Sequence, residues 1–237
     1  MPTPSLEAVA RHPHLGGAPA AGRLRVDMHV HCLYSGDSTT TIDELASSIF
    51  DSGIDVVCLT DHHDTRGAAR LAAALADRGQ RVVCGEEIRT HTGEIIGLFV
   101  TERIPFGLTA RETAIAIRDQ GGIVYVPHPF DPMRRNITEA SLRDLADEGL
   151  VDAIEVINAK TSLSSLNGRA RQFALDFGLA QGAGSDGHVP LAVGAAFAEI
   201  DDFVDAQSFL AALRTSTTVG HHWDEPRPWS PRIVPAT

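Results

Sequence analysis

From residue 23 to residue 188, apolar runs of strand length alternate with stretches whose apolar residues recur at helical spacing. LRVDMHV, DVVCLTD, RVVCGEEI, EIIGLFV, GIVYVPH, AIEVIN and AQGAGSD predict strands. Between them, TIDELASSIFDSG, TRGAARLAAALADRGQ, TARETAIAIRDQGG, SLRDLADEG and SSLNGRARQFALDFG predict amphipathic helices. Several of these end at a glycine, where a left-handed cap closes a helix. Apolar strands alternating with helices argue for a parallel sheet covered on both faces. About seven such units exceed a small open sheet and predict a closed or nearly closed barrel, with its site at the C-terminal ends of the strands.

The flanks differ from this pattern. Residues 1–22, rich in Pro, Gly and Ala, predict a short helix or arm, residues 23–220 the domain itself, and residues 221–237 a Pro-rich tail over the surface. The net charge of −11 disfavours extended contact with a nucleic-acid backbone. Small phosphorylated ligands stay open, because bound cations reverse a local potential. No run is long enough to span a membrane, and no basic segment leads into an apolar one at the start. Cys32, Cys58 and Cys84 have no CxxC spacing, so the expected setting is a reducing cytoplasm without a membrane partner.

The chemistry gathers at the strand ends. Side chains two apart on a strand share a face, so His29 and His31 can reach one point, with Asp37 six residues on. CLTDHHD puts His62 just past the second strand, and CGEEI ends the third with Glu86 and Glu87, of which only one can face inward. In VPHPF the proline after His128 predicts an extended backbone at that histidine. GAGSDGH repeats the two-apart geometry with Asp186 and His188. Each feature alone fits an ordinary role, such as a capping Asp, a hydrogen-bonded histidine or a solvated Glu. Five strand ends supplying His, Asp or Glu to one apolar scaffold predict a metal site.

DMHVH, TDHHD, GEEI, PHP and GSDGH, in that order over residues 27–188, resemble the PHP (polymerase and histidinol phosphatase) superfamily. Among its members the chain is most similar to the small stand-alone metal-dependent phosphoesterases. The resemblance implies an α/β fold, a distorted (β/α)7 TIM-like barrel. It implies that His29, His31, Glu87 and Asp186 hold one metal, that Glu87 bridges to a second held by His128, and that Asp37, His62 and His188 hold a third. Two or three divalent ions, Zn, Mn or Fe, are the implied cofactors, with Glu87, Asp186 and His128 as catalytic ligands. Glu94 stands where many members carry a histidine, and a carboxylate there favours harder cations.

Around these ligands, Asp27 and Asp61 are candidates to orient imidazoles, or equally to serve as caps. Cys32 should point away into the core. His63 and His91 are the leftover histidines nearest the cluster, either one a candidate general acid or a surface residue, whereas His12, His14, His221 and His222 lie outside the motifs. HPFDPMRR places Arg134 and Arg135 just after His128, where a guanidinium fork can grip a phosphoryl group. Asn158 and Lys160 are further substrate-side donors, and no glycine-rich nucleotide cradle is present. The expected activity is hydrolysis of a small phosphate ester by metal-bound hydroxide, releasing inorganic phosphate. The alternatives are an amidohydrolase-like reaction at a non-phosphate bond, a metal- or ligand-binding domain without turnover, and, less favoured by the acidic balance, a nuclease.

Overall fold

Each expected strand forms in the computed structural model, which describes residues 3–225 and 234–236. They are β1 (Arg23–Val30), β2 (Val56–Leu59), β3 (Arg81–Thr90), β4 (Gly93–Leu98), β5 (Ile123–Val126), β6 (Ala153–Asn158) and β7 (Ala180–Gly184). Two more, β8 (Ala196–Asp201) and β9 (Thr217–Gly220), follow the last motif. The helices are α1 (Leu6–Arg11) in the arm, α2 (Ile42–Ser52), α3 (Arg66–Leu75), α4 (Ala110–Asp119), α5 (Glu139–Asp147), α6 (Ser164–Phe177) and α7 (Ala206–Leu213). Local chemistry sets their ends. Thr41 and Thr109 form capping boxes with Glu44 and Glu112, and Gly53 and Gly178 close α2 and α6 in the left-handed conformation. Of the expected tail, residues 226–233 and 237 lie outside the described residues.

The strands form one sheet in the order β7-β6-β5-β4-β3-β2-β1-β8-β9. β7 turns back toward β1 through a parallel bridge between Val30 and Gly187, with His31 N–H donating to the Gly187 carbonyl at 2.8 Å. The barrel is thereby nearly closed. Its interior below the site is filled by Val26, Met28, Cys58, Ile96 and Tyr125, and Phe209 and Leu213 of α7 plug the base.

The expectation of uniformly parallel βα units fails at two places. β8 lies antiparallel to β1. More consequentially, β3 and β4 are joined by a two-residue turn and pair antiparallel, with Glu87 opposite Ile96 and Arg89 opposite Glu94. A hairpin needs no helix, so the chain returns at once. Gly93 permits the return: its φ is +131°, and a Cβ there would meet Ile137 Cα at 2.3 Å. Because β4 runs backwards, its first residues lie beside the last residues of β3. Glu94 therefore reaches the same end of the barrel as the candidate ligands on the parallel strands.

Candidate metal centre

Alternation along β3 sends Glu87 and Arg89 to one face, and pairing puts Glu94 on that face too. Glu87 is the inward member of its pair. Glu86 is buried on the other side, where its Oε2 accepts the Ile104 N–H at 2.7 Å. Around Glu87 Oε2 stand His29 Nε2 and His31 Nε2, both at 3.3 Å, and His62 Nδ1 at 3.2 Å. Glu87 Oε1 lies 3.1 Å from His128 Nε2, and that nitrogen is 3.9 Å from Glu94 Oε2. Asp186 Oδ1 lies 3.8 Å from His29 Nε2 and 3.6 Å from His31 Nε2. Asp37 Oδ2 meets His62 Nε2 at 3.4 Å and His188 Nε2 at 3.2 Å.

These atoms form overlapping groups in which every potential ligand atom lies within 4.8 Å of the others: His29, His31 and Glu87; His29, His128 and Asp186; Glu87, Glu94 and His128; and His31, Asp37, His62 and His188. The donor set fits divalent cations. It is imidazole and carboxylate without thiolate, and His31 Nε2 is buried without a hydrogen bond. Two of the histidines have the far nitrogen engaged: His29 Nδ1 lies 3.2 Å from Glu155 Oε1 and His31 Nδ1 lies 2.8 Å from Ser35 Oγ, whereas His128 Nδ1 is buried without a hydrogen bond.

Electrostatics in the cluster follow from this crowding. Burial would raise the Glu87 carboxyl, but His29, His62 and His128 outweigh it and hold it well below the usual range. Burial likewise opposes ionisation of Asp186, and Lys160, His29, His188 and His31 overcome it. Glu94 is pushed up to about 7 by burial and by the charge on Glu87. His62 rises to about 9 despite burial, because Glu87, Asp37 and Glu94 surround it. His31 is driven well below its usual value by burial and by His188.

Above the cluster opens a cleft of about 500 Å³. Arg134 and Arg135 line it, as do Arg89, Arg103 and Lys160. Arg134 Nε is buried without a hydrogen bond. Lys160 Nζ lies 3.2 Å from Asp186 Oδ1 and 2.6 Å from His188 Nδ1. Phe106 and Met133 add apolar surface to the cleft.

These positions correct the expectations for Asn158 and for the backbone of His128, and choose between alternatives elsewhere. Asn158 does not line the cleft but lies behind it: its amide donates to Glu155 at 2.9 Å and to the candidate ligand Asp186 at 3.5 Å, and its carbonyl oxygen accepts the Lys160 N–H at 2.9 Å. Asp27 and Asp61 touch no imidazole. Asp27 accepts the Ser185 and Gly194 N–H groups, and Asp61 accepts the Cys32 N–H at 2.7 Å with the Cys32 thiol 2.9 Å away. Both tie backbone together behind the ligands, and Cys32 is buried in the core. His128 is not extended; its φ is +28°. His63 lines the cleft, lowered to about 4 by burial and by His62, whereas His91 sits on the β3–β4 turn outside it. His12, His14 and His221 pack on one another, with His12 Nδ1 2.9 Å from His221 Nε2, and His222 Nδ1 is 2.9 Å from the Ala159 carbonyl. Glu155 and Ser35 were not singled out by the motifs. The one signal for Glu155 is a carboxylate in the middle of the apolar run AIEVIN.

Comparison with known proteins gives consistent matches. The PHP domain profile matches residues 27–205. The uncharacterized protein MJ0417 of Methanocaldococcus jannaschii is 32% identical over 204 residues, covering 82% of this chain and 81% of that protein. A two-domain protein of Bacteroides vulgatus, described as containing a predicted PHP-like metal-dependent phosphoesterase, superposes with a TM-score of 0.69 at 19% identity. The match covers 84% of this chain but 65% of that one, less than two thirds of its length. An amidohydrolase of Chromobacterium violaceum, solved with sulfate and no metal, superposes with a TM-score of 0.61 at 18% identity, over 79% of this chain and 96% of that one.

Proposed function

Because the chain belongs to the PHP domain family and gathers nine potential ligands under a cationic cleft, we propose that it is a metal-dependent hydrolase of phosphate esters. The proposed centre holds two or three divalent ions, Zn, Mn or Fe, on His29, His31, Asp37, His62, Glu87, Glu94, His128, Asp186 and His188. The proposed hydrolase domain runs over residues 23–220, from the first residue of β1 to the last of β9. The observation that carries the phosphate reading is a layering of charge. Carboxylates and imidazoles form the floor, with Lys160 against Asp186 and His188, while Arg89, Arg103, Arg134 and Arg135 line the rest of the cleft. A dianionic phosphoryl group matches such a rim, and a neutral amide or lactone does not.

Divalent ions bound on this floor would supply an activated water near neutral pH and offset charge on phosphoryl oxygens. The protein's own groups do the rest. Glu87 and Asp186 are kept ionised by the histidines and Lys160 around them, so their oxygens are ready to bind a cation that takes the place of protons on those imidazoles. Arginine forks orient the phosphoryl oxygens and stabilise charge that builds on them in the transition state. His63, neutral near pH 7, stands at the cleft as a hydrogen-bonding group rather than a stored proton.

The test pairs elemental analysis with a panel of phosphomonoesters, using Glu87→Gln and Glu86→Gln. Wild type should carry two or three divalent ions and turn over at least one phosphoester, and chelation should abolish turnover. Glu87→Gln should lose metal and lower kcat/KM by more than about 10²-fold, over 2.7 kcal/mol of transition-state stabilisation. Glu86→Gln, on the far side of the strand, should keep its metal and most activity. Turnover of a lactone or amide with no phosphoester hydrolysed would overturn the reaction class.

A further inference from the structure

The proline after His128 restricts that histidine to extended backbone, yet its φ is +28°. Such a conformation in a residue other than glycine is strained and persists only where surrounding groups impose it. The group in contact is Glu155, at the centre of β6 and fully buried. Its Oε2 accepts the His128 backbone N–H at 2.6 Å. Its other oxygen, Oε1, lies 3.2 Å from His29 Nδ1, and Asn158 Nδ2 donates to Oε2 at 2.9 Å. One carboxylate thus touches two ligand residues on two different strand ends.

We infer that Glu155 is a positioning residue for the metal centre, fixing the ring of His29 and the backbone of His128 at once. This rests on the proposed metal centre. With Nδ1–H of His29 donated to Glu155, Nε2 is left facing Glu87 and Asp186, where a cation would sit. With the His128 N–H held, the left-handed turn before Pro129 directs the His128 ring to Glu87 and Glu94. Both tasks require an acceptor, because both partners are N–H donors. A carboxylate offers two acceptor oxygens, whereas the isosteric amide offers one acceptor and one donor. Glutamine with its oxygen on the His128 N–H therefore presents a donor to His29 Nδ1 and selects the tautomer with Nε2 protonated, which cannot ligate. Asn158 completes the arrangement by donating to Glu155 while its own oxygen holds the Lys160 backbone.

The experiment compares wild type, Glu155→Gln and Phe209→Leu, the last a core truncation at the barrel base that lowers stability without touching the centre. Two readouts are taken: Mn or Zn affinity by titration of the metal-free full chain, and the nitrogen-bound ring protons of His29 by NMR. In wild type the Nδ1 proton of His29 should be downfield and slow to exchange, as expected for a hydrogen bond to a buried carboxylate. Glu155→Gln should weaken metal binding by about 10–100-fold and lose or shift that resonance. Phe209→Leu should keep both while melting at lower temperature. Equal metal affinity in Glu155→Gln and wild type, or equal affinity losses in Glu155→Gln and Phe209→Leu, would overturn the inference. If wild type binds no metal, the proposed centre fails on its own. The His29 resonance then still decides whether Glu155 fixes that ring, and an unchanged resonance in Glu155→Gln would overturn it. Metal binding without phosphoester hydrolysis would remove the proposed reaction and leave the positioning role standing.

Discussion

Arg134 differs from the other cleft arginines in what its guanidinium touches. Its Nη2 lies 3.5 Å from the Lys160 carbonyl, and its Nε is buried without a hydrogen bond. A buried guanidinium N–H without an acceptor costs free energy that an incoming phosphoryl oxygen relieves. Arg89, by contrast, has its Nε 3.8 Å from Glu94 Oε1. Arg134→Ala is therefore expected to lower kcat/KM for the best phosphoester by on the order of 10²-fold, roughly 2–3 kcal/mol, with metal content unchanged. Lysine at this position should restore only part, because it supplies charge without the fork. Inorganic phosphate should inhibit the variant much less than wild type, and equal inhibition in the two would remove Arg134 from substrate recognition. The candidate ligands were legible at this scale because HxH, DxH and a carboxylate at a strand end are local patterns. Glu155 was not, because its contacts to His29 and His128 are created by folding, and Ser35 was not, because a serine four residues after a histidine carries no pattern of its own. For Asp27 and Asp61 the sequence left two roles open, because nearness to a histidine does not say which way a carboxylate points, and both accept backbone N–H groups.

The β3–β4 hairpin decides at the level of elements whether Glu94 can belong to the centre at all. Strand existence was readable from apolar runs, but the direction of β4 was not, since a run of apolar residues looks the same in parallel and antiparallel pairing. Its cue was the five-residue gap between RVVCGEEI and EIIGLFV, too short for a crossover helix. β8 and β9 were missed because they lie beyond the last motif, and β8 is Ala-rich and weakly patterned. Gly93 is the residue on which the hairpin turns. At φ +131°, with Asn136 and Ile137 backbone 2.3–2.4 Å from where a Cβ would stand, any side chain must displace the chain after it. Gly93→Ala is expected to cost at least about 2 kcal/mol, at the upper end of the cost of one strained backbone site plus a clash. It should also weaken metal binding, because the displaced residue is followed directly by Glu94. Differential scanning calorimetry with a metal titration checks both. A variant with wild-type melting and wild-type stoichiometry would show that neither the turn nor Glu94 is needed.

For the molecule as a whole, the centre lies where the barrel comes nearest to closing. Its candidate ligands follow or end β1, β2, β3, β5 and β7 and begin β4, so a cation held there ties together elements from His29 to His188 that are otherwise joined by single ladders. The order among ligands was readable in the sequence, but this stapling role was not, because it depends on β7 meeting β1 through the Val30–Gly187 bridge. Before a cation arrives, ionised Glu87 and Asp186 lie among His31 and His188, lowered by burial, and His29, His62 and His128, raised by Glu87, so a bound cation takes the place of protons on the latter three. The unfolded chain holds no such grouping of ligand atoms. Binding to the native state alone stabilises by RT ln(1 + [L]/Kd), about 4 kcal/mol at a thousandfold excess over Kd. For a chain of this size each kcal/mol moves the melting midpoint by about 2–4 °C, so chelation should lower it by roughly 8–16 °C. Added Mn or Zn should restore the midpoint with a dependence on metal concentration. Asp186→Ala should melt near the chelated wild type and respond much less to added metal. Melting unchanged by chelator, in wild type shown by elemental analysis to have carried metal, would mean that the ions bind without tying the strand ends together.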